Sequence, residues 1–317
     1  MSEPSPRPIL LVDGLNLFIR CWCAYPAVST HGGQLGGVVG FLKTLNRLVS
    51  DNSPQRVIIA WEAGGSLRRR GIDPNYKNQR RPEKLNRFYG DDIPETHENW
   101  QHQLTSLVKI SECLPVTQVY VEDCEGDDVI SYCATSIRGV NKIIVSSDKD
   151  FYQLLDSETK QYSPHKKCFI TQDDVLRDFS IHPCNFAIAK AICGDPGDNV
   201  SGVPRVGFKS LAKHFDILKS STPLILPDVE TWAAAHRDES AIIKRVWENW
   251  DIVQKNWKLV FLGIGALSPQ QIKRIDQCLG VVPQPSLVKY FGLLKEIGTS
   301  DIGVHSTFQT LKQIGDN

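Results

Sequence analysis

Short apolar runs along the chain alternate with longer stretches in which apolar residues recur every three or four positions. Residues 8–12 read P-I-L-L-V, 56–61 R-V-I-I-A-W, 116–121 V-T-Q-V-Y-V and 142–147 K-I-I-V-S-S. Such short apolar runs predict strands covered on both faces, as in a parallel sheet. Residues 36–49 set Val38, Phe41, Leu42, Leu45, Leu48 and Val49 at helical spacing. Residues 96–114 repeat the pattern with Trp100, Leu104, Leu107, Val108 and Ile110 before Pro115 ends it, and 126–137 form a further helix. The alternation predicts an α/β fold, a mostly parallel sheet flanked by helices. Residues 162–170 add an edge hairpin, and 171–179, opening T-Q-D-D, add a capped helix. Beyond residue 180 the pattern turns helical, over 186–193, 208–215 and the tryptophan-bearing stretch 232–257. The expected organisation is a flexible tail at 1–8, a core at 9–180 and a helical lobe at 181–317. Its polar end, 298–317, is expected to be loosely held.

Composition narrows the class. Hydrophobic residues make up 41% and charged residues 23% of the 317, with zero formal net charge. Overall charge therefore does not point to nucleic acid, but local segregation does. Between residues 66 and 88 stand Arg68, Arg69, Arg70, Lys77, Arg80, Arg81, Lys84 and Arg87, opposed by Asp73 and Glu83, with Tyr76 among them. A solvated charged loop is one reading of this stretch. An arm that meets a phosphate backbone with basic side chains and stacks bases on rings is the other. The nine cysteines show no C-x-x-C pair and no ligand spacing, as in a reduced intracellular protein. No apolar run reaches membrane-spanning length.

Carboxylates collect at the ends of the apolar strands. Asp13 closes the first and Glu62 follows the second. Glu125, Asp127 and Asp128 open the helix in E-G-D-D, and Asp148 and Asp150 follow the fourth strand in S-S-D-K-D. The turn G-D-P-G-D adds Asp195 and Asp198. Helix-dipole or turn roles account for one or two of these acids but not for so many converging ones. Clustered carboxylates repel one another, and such sets hold divalent cations. Next comes G-V-P-R-V-G, whose glycines Gly202 and Gly207 let a backbone approach phosphate. The helix after it carries Lys209 and Lys213. This is a helix–hairpin–helix signature for non-specific duplex-backbone binding within 185–215; a plain interhelical turn is the other reading.

In this order and spacing the motifs V-D-G, E-G-D-D, S-S-D-K-D, G-D-P-G-D-N and G-V-P-R-V-G make the chain resemble the flap endonuclease/5′-nuclease family, in particular its bacteriophage 5′-exonuclease branch. The resemblance covers roughly residues 9–215. It implies a 5′-nuclease/PIN-like fold with a basic arch at 66–100. The implied activity is Mg²⁺-dependent 5′-flap endonuclease and 5′-3′ exonuclease cleavage of DNA and RNA primers in DNA replication. Of two implied ions, with Mn²⁺ able to substitute, one would sit at Asp13, Glu62, Glu125, Asp127 and Asp128. The other would sit at Asp148, Asp150, Asp195 and Asp198, with Asp148 near both. Lys77 and Arg80, in Y-K-N-Q-R, and Arg20 would meet the scissile phosphate and 5′ side. Tyr76, Arg68, Arg69, Arg70, Arg81, Gly202, Gly207, Lys209 and Lys213 would contact DNA. A K⁺ ion on the hairpin, RNA–DNA hybrids, replication proteins as partners, a monomeric state and a location in the cytosol of a bacterium or phage-infected cell follow from the same likeness. Two departures stand out: Glu62 where Asp is common, and Arg205 at a hairpin position that is often Gly. A non-catalytic structure-specific DNA-binding protein and a PIN-type ribonuclease are the competing readings. The number of acids weighs against the first, and the hairpin and arm weigh against the second.

Overall fold

The structure, a computed structural model, describes residues 7–62, 64–78, 96–299 and 301–314. Five strands run parallel: β1 (Ile9–Asp13), β2 (Arg56–Trp61), β3 (Thr117–Tyr120), β4 (Lys142–Val145) and β5 (Thr159–Ser163). An antiparallel edge strand, β6 (Cys168–Ile170), completes a sheet of order β3-β2-β1-β4-β5-β6. The central strands β1, β2 and β4 are apolar on both sides because both faces are covered. Leu10 and Val12 enter one core while Ile9 and Leu11 enter the other, the period of two expected of a strand.

One face carries α1 (Gly14–Ala24), α2 (Gly36–Asn52) and, beyond the short α3 (Leu67–Ile72), α4 (Thr96–Ser111). The opposite face is covered by α5 (Gly126–Ser136). The helix α1 was not foreseen, although Leu17, Phe18, Cys21 and Trp22 form its buried side. Its N-cap is Asp13, whose carboxylate accepts from the Asn16 N–H at 3.1 Å. Gly14 lets α1 leave β1 sharply: a Cβ there would lie 2.5 Å from the Trp61 ring and 2.8 Å from the Ala60 carbonyl oxygen.

A second core holds α6 (Gln172–Phe179), with the capping box expected of T-Q-D-D, and α7 (Phe186–Cys193). A two-residue ladder, β7 (Gly194–Asp195) with β8 (Val200–Ser201), follows before α8 (Phe208–His214). The lobe continues through α9 (Leu226–His236), α10 (Ala241–Glu248) and α11 (Trp250–Val260).

The expected lobe boundary at residue 317 is corrected by the last three helices. In α12 (Pro269–Gly280), Ile275 is buried under the α5 face. Then α13 (Leu287–Glu296) and α14 (Ile302–Lys312) return to the α1/α2 face. Nor is the end loosely held: Val304, Phe308, Leu311 and Ile314 are buried there, with α14 against α2. The segment was misread because its apolar residues are few, though each of these faces inward.

Candidate active site

The strand order reverses at β1: β2 and β3 lie to one side, β4 and β5 to the other. Crevices at the carboxyl ends of such a switch point are where open α/β sheets place ligands. Here a cavity of ≈ 750 Å³ is lined by Asp13, Glu62, Asp127 and Asp148, together with Arg20 and Lys77. Asp13 accepts hydrogen bonds from the Asn16 N–H and, at 2.9 Å, from the Ser146 hydroxyl. Burial pushes its carboxyl up to about 7 against those two bonds, and the charges of Asp148 and Glu62 push the same way. At Asp127, desolvation in the cavity and the charges of Asp13 and Asp148 raise the carboxyl well above its ordinary range, although the side chain keeps some exposure. Electrostatics thus ties Asp148 to Asp13 and Asp127.

A second group stands beside the first. Asp150 opens a 3₁₀ turn (Asp150–Leu154), and Asp195 and Asp198 flank the Pro196-Gly197 turn. One ligand oxygen from each of these three acids lies within 4.8 Å of the others. The ammonium of Lys190, from α7, bonds Asp150 and, at 2.6 Å, Asp195. Burial works against the charge on Asp195, yet Lys190 and the Gly197 and Asp198 backbone N–H groups hold its carboxyl below the ordinary range.

The structure spends other expected site residues on one another. Asp128 is not an open ligand: the Arg69 guanidinium grips its two oxygens at 2.6 and 2.7 Å. Arg69 is likewise no DNA contact, since it is 1% exposed and donates its third bond to the Leu259 carbonyl. Tyr76 is buried, not free to stack, and its hydroxyl reaches Glu125 and Asp198 at 3.2 Å each. Glu125 takes the Lys77 ammonium at 2.7 Å and Arg69 at 3.2 Å. Burial opposes its charge, but those two cations hold its carboxyl below the usual range. Its Oε1 is buried without a hydrogen-bond partner. Lys77 also donates its backbone N–H to the Asp198 carbonyl at 3.0 Å.

Arg20 projects from α1 into the cavity and pairs with His165 at 2.9 Å. Arg68 and Arg70 are exposed on α3. Arg80 and Arg81 lie outside the described residues, as does the 79–95 portion of the expected arch at 66–100, of which 67–72 form α3 and 96–100 open α4. Between α7 and α8, Gly202 packs its Cα against the Cys193 carbonyl, where a Cβ would clash. Arg205 stands at φ 59°, the left-handed conformation that the glycine usual there would favour. Gly207 caps α8, from which Lys209 and Lys213 face solvent. Sequence reasoning missed Asn16, Ser146, His165 and Lys190. For Lys190 the signal was there: it is the lone charge in F-A-I-A-K-A-I-C, and a buried charge demands a partner.

The donor sets offer carboxylate oxygen, suited to hard divalent cations rather than to thiolate-bound metals. Raised carboxyls at Asp13 and Asp127 and the unpartnered Glu125 oxygen fit a site completed by positive charge.

Residues 8–180 match the family model described as 5′-3′ exonuclease, N-terminal resolvase-like domain. Among curated proteins, a 5′-3′ exonuclease of Buchnera aphidicola subsp. Schizaphis graminum is 27% identical over 229 residues, covering 69% of this chain and 75% of that one. Flap endonuclease Xni of Shewanella halifaxensis is 27% identical over 213 residues, covering 67% and 78%. DNA polymerase I of Bacillus subtilis is 29% identical over 220 residues, which cover 66% of this chain but 24% of the polymerase. Among solved structures, a bacteriophage T5 flap endonuclease in a pseudo-enzyme-product complex with DNA and metal ions superposes with a TM-score of 0.68. It is 19% identical, with coverage of 87% of this chain and 99% of that one. The catalytic core of Rad2 with a DNA substrate shares the fold at a TM-score of 0.53 and 11% identity, covering 98% and 93%.

Proposed function

The chain belongs to the 5′-3′ exonuclease family with the N-terminal resolvase-like domain, and from that premise we propose that it hydrolyses 5′-flap and 5′-ended DNA with two Mg²⁺ ions held by its two carboxylate groups. It is a 5′ nuclease, a phosphodiester hydrolase. The observation that carries the reading is the convergence of Asp13, Glu62, Asp127 and Asp148 on one cavity with Arg20 and Lys77. Asp13, Asp127 and Asp148 would hold one ion, with Glu62 reaching it through water. Asp150, Asp195 and Asp198 would hold the other. When bound, such ions supply an activated water and neutralise the leaving oxygen.

The chain's own residues do the rest. Lys77 and Arg20 present positive charge to the scissile phosphate at the cavity wall. Arg68 and Arg70, with Arg80 and Arg81 of the arch, attract the single strand. Lys209 and Lys213, exposed one turn apart on α8, grip the duplex backbone, a positioning contact that carries no sequence preference. A K⁺ ion on the hairpin carbonyls would strengthen that grip. RNA–DNA hybrids are further substrates, Mn²⁺ can replace Mg²⁺, and the chain works as a monomer alongside replication proteins. Among the described residues no helix is long and apolar enough to cross a membrane.

A labelled 5′-flap duplex tests the reading. Cleavage should require Mg²⁺ and stop with chelator. Asp148→Ala should bind the flap and leave it uncut. Cutting by that variant at near the wild-type rate would sink the two-ion reading.

A further inference from the structure

Lys190 stands alone as a charge in the apolar helix α7, and its side chain is 7% exposed. A buried ammonium is stable only when paired and fully hydrogen-bonded. Here its partners are Asp150 and Asp195, two of the three acids whose oxygens lie within 4.8 Å of one another. The third, Asp198, has the Lys77 ammonium at 3.9 Å. In the first carboxylate group Asp13 takes its bonds from neutral donors, the Asn16 N–H and the Ser146 hydroxyl, while the Lys77 ammonium lies at the wall of the same cavity. An ammonium between Asp150 and Asp195 uses the lone pairs that a cation bridging them would need.

We propose that Lys190 is the resident cation of the second carboxylate group, holding Asp150 and Asp195 together in the metal-free protein and yielding its place when a divalent ion enters. The inference rests on the reading of the two carboxylate groups as cation sites. It makes occupation of the second group a competition. The apparent affinity there is lowered by the fraction of molecules in which Lys190 is in place.

The test uses the full chain without DNA, titrated with Mn²⁺ while free Mn²⁺ is read by electron paramagnetic resonance. The wild type should show a tighter and a weaker class of ion. Lys190→Gln removes the charge and keeps a polar stem, and should tighten the weaker class by about tenfold. Lys190→Arg keeps a cation in place and should leave that class weak. In chelator, Lys190→Gln should melt below the wild type, and saturating Mn²⁺ should remove the difference. A Gln-variant isotherm superimposed on the wild type, or one that binds fewer ions in total than the wild type, overturns the role of Lys190. Absence of a weaker class in wild type and variant alike overturns the two-ion reading beneath it. If the Gln variant does not fold without metal, the wild type decides alone: the Lys190 ammonium resonance should move as Mg²⁺ is added. A resonance unchanged through saturation overturns the proposal.

Discussion

The guanidinium of Arg69 reaches three places at once: both oxygens of Asp128, one oxygen of Glu125 and the carbonyl of Leu259 at the end of α11. Asp128 is itself 4% exposed. Removing one member of a buried pair leaves the other charged and unsolvated, so Arg69→Ala should cost about 3–5 kcal/mol. Chemical denaturation checks this as a lowered midpoint. A loss below about 1 kcal/mol would place the pair in the surface class. Arg69→Lys should recover little, since a point charge cannot span two oxygens in fork geometry. That E-G-D-D supplies acids was legible in the sequence. Which acid would be spent on an arginine was not, because the pairing joins residues 59 positions apart and depends on α3 docking beside α5.

At the scale of elements, β1, β2 and β4 were legible because a strand buried on both faces leaves a continuous apolar run, whereas β5, T-K-Q-Y-S, leaves none and was expected only as part of the edge hairpin. The edge hairpin and the T-Q-D-D cap were legible because turn and cap chemistry is local. Among the helices that escaped are α1 and α14. In α1 the helix begins directly at the strand-end acid, so Asp13 reads as a turn when it also serves as N-cap. In α14 the buried side is thin, and only contact with α2 gives it meaning. Phe308 is 5% exposed within that contact. Phe308→Ala should therefore destabilise by about 3–5 kcal/mol, the cost of a large core truncation. A thermal melt reads the loss, and an unchanged melting temperature would mean that the end of the chain is held as loosely as its composition suggests. The hairpin carries its own local cost. Arg205 at φ 59° gives up about 1–2 kcal/mol relative to right-handed backbone, which the packed Val203 and Val206 on either side offset.

For the whole molecule, the carboxylate site makes stability depend on pH and metal together. The Asp13 carboxyl moves from the ordinary 3.8 to about 7 in the fold, and Asp127 moves in the same direction. Between about 4 and about 7 the native state therefore holds protons that the unfolded chain has lost. Metal-free protein should melt at a higher temperature near pH 5.5 than near pH 7.5. Glu125 and Asp195 move the other way, and their contribution is lost only below the ordinary carboxylate range, outside this window. Divalent ions held by these carboxylates as proposed would displace their protons, so Mg²⁺ should stabilise more at pH 7.5 than at pH 5.5. Melting curves at both pH values with Mg²⁺ or chelator check this. A metal-free melting temperature that rises with pH would contradict the burial of these acids.

The return of α13 and α14 to the α1/α2 face has a meaning for synthesis. A ribosome releases β1 and α2 early, but β1 has no β4 beside it until residue 145 emerges, and α2 has no α14 until the last helix is out. Such long-range closures are slow, and they expose apolar surface meanwhile. The acids are delivered one by one over the same interval, from Asp13 to Asp198. A nascent chain therefore carries the carboxylates of the candidate site before α14 can pack on α2.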